Sequence, residues 1–152
     1  NLGDAIVMLT GLLFGPIIGG IAGGVGSSIA DIILCPIYIP ATLIIKGLEG
    51  FVVGLIADPK KVQGRITYRD IIAVVVGGLI MVFGYLIYEI ILYGLAAASI
   101  ELILNSVVQF GGGAIIALLI TIPFRKSLIQ AFPQVFDNIF IEEDYVKEPS
   151  LV

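Results

Sequence analysis

The apolar run "IIAVVVGGLIMVFGYLIYEIILYGL", residues 71–95, decides the fold class of this chain. It contains about 25 residues and a single charged side chain, Glu89, and a helix of that length crosses the hydrocarbon core of a bilayer with some tilt. In lipid, the backbone amides have to be satisfied within the segment, which an α-helix achieves. We therefore predict a transmembrane helix over this run.

The same interpretation extends to the other apolar runs of the chain. We predict five helices, at residues 2–14, 17–34, 41–57, 71–95 and 100–124. The first is short and ends at Gly15-Pro16, because proline interrupts or kinks a helix. Residues 127–140 have a mixed pattern compatible with a short interfacial helix broken by Pro133, within a polar cytoplasmic tail at 127–152. The expected fold is an all-α polytopic membrane helical bundle, forming a single membrane domain over residues 1–152.

The composition supports a membrane protein and disfavours several classes of function. Hydrophobic residues make up 59% of the 152, charged residues only 13%, and the mean hydropathy is +1.12. This exceeds the roughly half apolar content of soluble domains. The chain has no histidine and one cysteine, Cys35, so we expect no disulfide within the chain, no His/Cys metal site and no cofactor.

The basic residues predict the orientation, since short cytoplasmic loops are enriched in lysine and arginine. They concentrate in the loop after the third run and at the end of the fifth, as Lys60, Lys61, Arg65, Arg69, Arg125 and Lys126. These ends are expected inside, whereas "CPIYIP" (35–40) and the connection at 94–100 are expected outside. Asn1 then lies at the outer face. Since the chain opens without methionine, we expect a preceding helix and six spans in all.

The polar residues within the runs gather in the predicted outer half of the bundle. A charge at the centre of a membrane helix costs at least about 2.5–3.5 kcal/mol, so such residues normally face a protein interior or an aqueous cavity. The spacing i, i+4 places Tyr85 with Glu89, and Asn105 with Gln109, on common helix faces. Because the inner halves hold few polar groups, we predict an outer pocket rather than an ion pathway through the membrane.

Nine residues are candidates for binding a small molecule in that pocket. They are Lys46, Glu49, Tyr85, Tyr88, Glu89, Asn105, Gln109, Asp31 and Asp4. Tyrosine rings and uncharged amides suit a small planar ligand.

Structural explanations exist for several of these candidates. Lys46 and Glu49 could form an internal ion pair at i, i+3, or Lys46 could pair with Asp31 across helices. Asp4 and Asp31 could instead lie near helix ends at the headgroups. Tyr93 is interpreted as a residue of the interfacial aromatic belt.

Glycines crowd the second and third runs, as in "GGIAGGVG" at 19–26. Small residues four apart allow helix backbones to approach closely, and we interpret them as packing surfaces. A phosphate-binding loop is not predicted, because the strand and the βαβ setting that it requires are missing.

Three segments, "NLGDAIVMLTGLLFGPIIGGIAGGVGSSIADII" (1–33), "PATLIIKGLEGFVVGLI" (40–56) and "NSVVQFGGGAI" (105–115), resemble S components of energy-coupling factor (ECF) vitamin transporters. The similarity is greatest to the branch of hydroxymethylpyrimidine- and pyridoxine-type S components. The resemblance implies six helices and high-affinity capture of a vitamin at the outer face, in the outer half of the runs beginning at Ala41, Ile71 and Ile100. It also implies association with a coupling transmembrane subunit and two cytoplasmic ATPases, with delivery of the ligand by toppling in the membrane.

Our leading hypothesis is therefore a non-enzymatic vitamin-capture subunit. Acidic groups outnumber Lys46 in the outer cluster, which favours a neutral or cationic ligand over a dianion, and a pyrimidine or pyridine precursor is expected. The alternative is a membrane scaffold whose glycine faces pack partners and whose polar cluster is structural. An intramembrane enzyme is disfavoured because no nucleophile is spaced for activation by a base.

Overall fold

The computed structural model describes residues 3–59 and 66–132, and over these ranges the chain forms five helices and no strand. The predicted all-α bundle is confirmed. Helix α1 spans Gly3–Phe14, α2 spans Pro16–Leu34, α3 spans Ile39–Ala57 and α4 spans Tyr68–Tyr93. Helix α5 consists of Leu95–Leu104, a π-helical stretch Asn105–Gly111 and Gly112–Ala131. A second π-helical stretch, Ala22–Gly26, interrupts α2, and a 3₁₀ turn, Pro36–Tyr38, precedes α3.

Four of these helices are long and apolar enough to cross a membrane within the described part of the chain. They comprise residues Pro16–Leu34, Pro36–Ala57, Tyr68–Tyr93 and Leu95–Leu128. Helix α1 is apolar but has only 12 residues. At 1.5 Å per residue it is about 18 Å long, which is shorter than a bilayer core of about 30 Å.

Two glycines with positive φ separate neighbouring helices. Gly15 has φ 83° and Pro16 follows it at the first position of α2, so α1 ends where the sequence predicted. Gly94 has φ 82° and α5 begins at the next residue. The prediction of a connection over 94–100 was therefore wrong: one glycine is enough for the turn, and the alanines at 96–98 are strong helix formers.

Helix ends differ from prediction by three or more residues at two further places, and by one or two residues elsewhere. Helix α4 starts at Tyr68 rather than at 71, because Thr67 and Asp70 form a capping box in which the Thr67 amide donates to the Asp70 carboxylate at 2.8 Å. Helix α5 continues past the exposed Pro123 to Ala131, so the prediction of a separate segment from residue 127 was wrong. Residues 133–152, the rest of the predicted tail, lie outside the described residues.

Glycines bring the backbones of α1, α2 and α3 into contact. A Cβ added to Gly50 would overlap the carbonyl oxygen of Gly19, and one added to Gly11 would lie 2.7 Å from the carbonyl oxygen of Gly50. No side chain fits at such distances, so the packing interpretation of these glycines is confirmed.

An apolar core fills the bundle between α1, α3, α4 and α5. Its buried members are Met8, Leu12, Val53, Ala57, Ala73, Val74 and Ala117. This core separates the two ends of the bundle, and each end carries a buried ion pair.

At one end, Arg125 of α5 pairs with Asp70 at the start of α4. The guanidinium donates to both Asp70 oxygens, at 2.5 and 3.1 Å, and to the carbonyl of Leu12 at 2.7 Å. Both side chains of the ion pair are almost completely buried. Arg125, which served as a loop charge in predicting the orientation, is thus a structural residue. Arg69 lies at the same end and donates to the carbonyl of Ile56 at 2.8 Å.

Candidate ligand-binding site

A cavity of about 350 Å³ opens between α2, α3, α4 and α5, near the helix ends remote from Arg125. Six of the nine candidate residues line it: Asp31, Lys46, Tyr85, Glu89, Asn105 and Gln109. The bundle therefore brings together residues that are up to 78 positions apart in the chain, as Asp31 and Gln109 are. The other three candidates, Asp4, Glu49 and Tyr88, lie behind this lining and contact residues that form it.

Lys46 forms the charged floor of the cavity. Its ammonium group pairs with Asp4 of α1 and, at 2.9 Å, with Glu49 one turn further along α3. All three side chains are buried. The internal pair at i, i+3 is confirmed, but the partner across helices is Asp4 rather than Asp31. Asp4 lies in the first turn of α1, at a helix end as the structural alternative expected, but it is completely buried and its carboxylate pairs with Lys46.

The two carboxylates of the floor are incompletely satisfied. Asp4 Oδ2 and Glu49 Oε1 are buried and have no hydrogen-bond partner in the described part of the chain. With one ammonium between two carboxylates, this group of three carries a formal charge of about −1, so Lys46 presents no excess positive charge to the cavity.

Tyrosines form an aromatic wall beside the floor. The ring of Tyr38 lies 6.1 Å from that of Tyr85 and 5.7 Å from that of Tyr88, tilted by 50° and 59°. The Tyr85 hydroxyl is hydrogen-bonded to Thr42 at 2.8 Å, and the Tyr88 hydroxyl donates to the carbonyl of Ile37 at 2.5 Å. These hydrogen bonds hold the rings of Tyr85 and Tyr88 in place. Tyr88 contacts the ring of Tyr38, which lines the cavity. Such a wall offers a stacking surface to a planar ligand.

A polar part of the lining comes from α4 and α5. Gln109 donates to the side-chain oxygen of Asn105 at 2.7 Å, so both amides of the π-helical stretch face the cavity together. π-helical turns occur frequently at functional sites. Glu89 lies close to Asn105, Tyr38 and Glu101, and its Oε2 is buried without a hydrogen-bond partner in the described residues.

Sequence reasoning missed part of the lining, which also includes Gly3, Ser27, Ala30, Leu34, Tyr38, Thr42 and Glu101. A spacing signal existed for three of them. Ser27 precedes Asp31 by four residues, Thr42 precedes Lys46 by four and Glu101 precedes Asn105 by four, so each shares a helix face with a candidate. Tyr38 had no such signal, because it lies in the 3₁₀ turn that was taken for a loop.

The described residues contain no group of three or more histidine, cysteine, aspartate or glutamate side chains placed to hold a metal ion. The acidic residues of the cavity are distributed over several walls instead of converging on one point. The arrangement suits an organic molecule with a ring and a few polar groups.

Comparison with known proteins adds an independent result. The model of the family described as "ECF-type riboflavin transporter, S component" matches residues 1–126. A protein of Pyrococcus woesei, described as an uncharacterized protein in the gap 3′ region, is 44% identical over 116 residues, which is 76% of this chain and 75% of that protein. No solved structure matches the chain significantly.

Proposed function

Since the chain belongs to the family of S components of ECF-type transporters, we propose that it captures a vitamin or vitamin precursor with a planar ring in the cavity floored by Lys46. It is a multi-pass membrane protein and the substrate-specific subunit of a transporter, not an enzyme. ECF S components bind a small-molecule vitamin and work with a transmembrane T component and ATPase subunits. We infer the same assembly, and ATP-driven import, for this chain.

The observation that carries this proposal is the pairing of an aromatic wall with a wall of amides around one cavity. A ring stacked on Tyr85 would meet the amides of Asn105 and Gln109 at its edge. The volume of about 350 Å³ lies at the lower end of the range of small-molecule sites, about 300–1,000 Å³. It suits a single vitamin-sized molecule.

The side of the membrane follows from the distribution of charge. Arg69 and the exposed Lys126 lie at the end of the bundle away from the cavity, and basic residues favour the cytoplasmic side. The cavity therefore faces outward in our proposal. The apolar core beneath it closes the inward route, so release of the ligand requires a rearrangement of the whole subunit with its T component.

Two kinds of vitamin are candidates. The description of the matching family names riboflavin, while the sequence resemblance favours a pyrimidine or pyridine precursor. Both have flat heterocyclic rings that suit the aromatic wall. The scaffold alternative has less support, because the family binds substrates and the polar residues surround a cavity instead of filling it.

The test is to purify the chain in nanodiscs, identify copurifying small molecules by mass spectrometry, and titrate a panel of vitamins by calorimetry. We expect at least one to bind more tightly than micromolar. Tyr85→Ala should weaken it by about tenfold or more, since stacking of a base on an aromatic side chain contributes about 1–3 kcal/mol.

A matched control distinguishes the cavity from the surface of the protein. Tyr68→Ala removes an exposed ring at the other end of α4 and should leave the affinity unchanged. If no vitamin bound, or if Tyr85→Ala and Gln109→Ala left the affinity of a folded protein unchanged, the proposal would fail and the scaffold alternative would gain.

A further inference from the structure

The walls and floor of the cavity carry an excess of negative charge. Among the described residues, one ammonium group, that of Lys46, stands against five carboxylates, those of Asp4, Asp31, Glu49, Glu89 and Glu101. Since Asp4 and Glu49 already neutralise Lys46, the carboxylates of Asp31, Glu89 and Glu101 are left without a basic partner in the described lining. A cavity of this kind attracts cations and repels anions.

Glu89 is the residue that points to a ligand. Only 3% of its surface is exposed, it lines the cavity, and its Oε2 has no hydrogen-bond partner in the described part of the chain. A buried carboxylate oxygen without a partner is costly. The second carboxylate nearby, Glu101, lies close enough to repel it electrostatically. A positively charged group between these two carboxylates would satisfy both.

The aromatic wall adds a second feature that favours a cation. The Tyr38 hydroxyl is placed to donate to the Glu89 carboxylate, the Tyr38 ring lies next to that of Tyr85, and the face of Tyr85 already holds the Lys46 ammonium at 5.5 Å from its centroid. Tyrosine faces attract cations, and ligands with positively charged nitrogen are recognised by aromatic groups arranged around the charge.

Assuming the proposed function, we propose that the ligand of this S component carries a positively charged nitrogen, seated between the Glu89 carboxylate and the rings of Tyr38 and Tyr85. Glu89 is then the residue that determines specificity, and Glu101 at the exposed rim attracts the cation as it enters. The charge belongs to an organic group, because the described residues do not converge as metal ligands do. A positively charged ligand would differ from riboflavin, the uncharged vitamin that the description of the matching family names.

The experiment uses probes that differ in one charge. Pyridoxamine carries an aminomethyl group, which is protonated at neutral pH, at the position where pyridoxine carries a hydroxymethyl group. The two molecules are otherwise the same. Thiamine, which has a fixed positive charge, and riboflavin, which is uncharged, form a second and less closely matched pair. Each probe is titrated into the full chain in nanodiscs. We expect the cationic member of at least one pair to bind at least about tenfold more tightly than the uncharged member.

Variants then assign this preference to the carboxylate. Glu89→Gln keeps the shape of the side chain and should remove most of the preference, with less effect on the uncharged member. Glu101→Gln should reduce the preference for the cationic member by a smaller factor. Added salt should also reduce this preference, because it screens the attraction between the carboxylates and the cation. Asp58→Asn is the control: it removes one carboxylate at the opposite end of the bundle, at a position of φ 47° that asparagine tolerates.

The possible results separate this inference from the proposed function. If riboflavin or an anionic vitamin such as biotin bound most tightly, or if Glu89→Gln left the preference intact, the inference would be overturned while vitamin capture would stand. If no vitamin on the panel bound, vitamin capture itself would fail, and the inference with it.

Discussion

Replacing Lys46 should destabilise the bundle far more than replacing either of its acidic partners. In Lys46→Met the side chain keeps its length but loses its charge, and Asp4 and Glu49 are left as two buried carboxylates with no cation between them. Removing one partner of a buried ion pair costs about 3–5 kcal/mol. In Glu49→Gln the pair between Lys46 and Asp4 survives, and a carboxylate oxygen without a partner is replaced by an amide. The cost should then be about 1 kcal/mol or less.

The assay for this difference is equilibrium unfolding of the purified chain by SDS in mixed micelles, followed by circular dichroism. The predicted gap between Lys46→Met and Glu49→Gln, at least about 2 kcal/mol, corresponds to roughly a thirtyfold difference in the unfolding equilibrium. Lys126→Met is the control, since Lys126 is exposed on α5 and its loss should change stability by no more than about 0.5 kcal/mol. Equal destabilisation by Lys46→Met and Glu49→Gln, or a Lys46→Met protein as stable as the control, would refute the assignment of Lys46 as the shared counter-ion.

Two further predictions concern the packing of the bundle and use the same unfolding assay. Arg125→Met should lower the free energy of unfolding by about 3–5 kcal/mol, because it leaves Asp70 buried without its ion pair. Asp58→Asn breaks a partly exposed ion pair and should lower it by about 1 kcal/mol or less. Similar losses of stability in the two variants would contradict the burial of the pair between Arg125 and Asp70. Gly50→Ala places a Cβ against the Gly19 carbonyl and should strongly destabilise the protein. The added Cβ of Gly112→Ala meets open space in α5, so this variant should be neutral or stabilising by up to about 1 kcal/mol. Equal tolerance of both substitutions would show that the close contact between the backbones at Gly50 and Gly19 is not needed.

The helices were predictable because hydrophobic length and glycine-proline signals are local. Their ends were less predictable. Whether "AAAS" continues a helix depends on the backbone angle at Gly94, and α5 continues through Pro123 although proline lacks the amide donor and usually ends or kinks a helix. Neither property can be read from composition or periodicity.

The candidate site was predictable as a set of helix faces but not as a set of contacts. The spacing of Tyr85 with Glu89 and of Asn105 with Gln109 identified two walls of the cavity. The partner of Lys46 was missed because Asp4 and Asp31 lie at similar predicted depths, and only the rotation of α1 and α2 about their axes decides which one faces α3. That rotation is set by the close contacts of Gly11, Gly19 and Gly50, which are tertiary.

The two buried ion pairs explain how a helix as short as α1 is accommodated. A helix of about 18 Å inside a bilayer core of about 30 Å leaves at least one end with polar groups at membrane depth, where they require partners within the protein. Asp4 in the first turn meets Lys46 of α3, and the carbonyl of Leu12 in the last turn accepts from Arg125 of α5. Lys46 also lines the cavity, so the residue that pairs with Asp4 at the start of α1 also forms the floor of the cavity. Fixing α1 and shaping the floor of the site are thus one structural requirement, met by a single lysine.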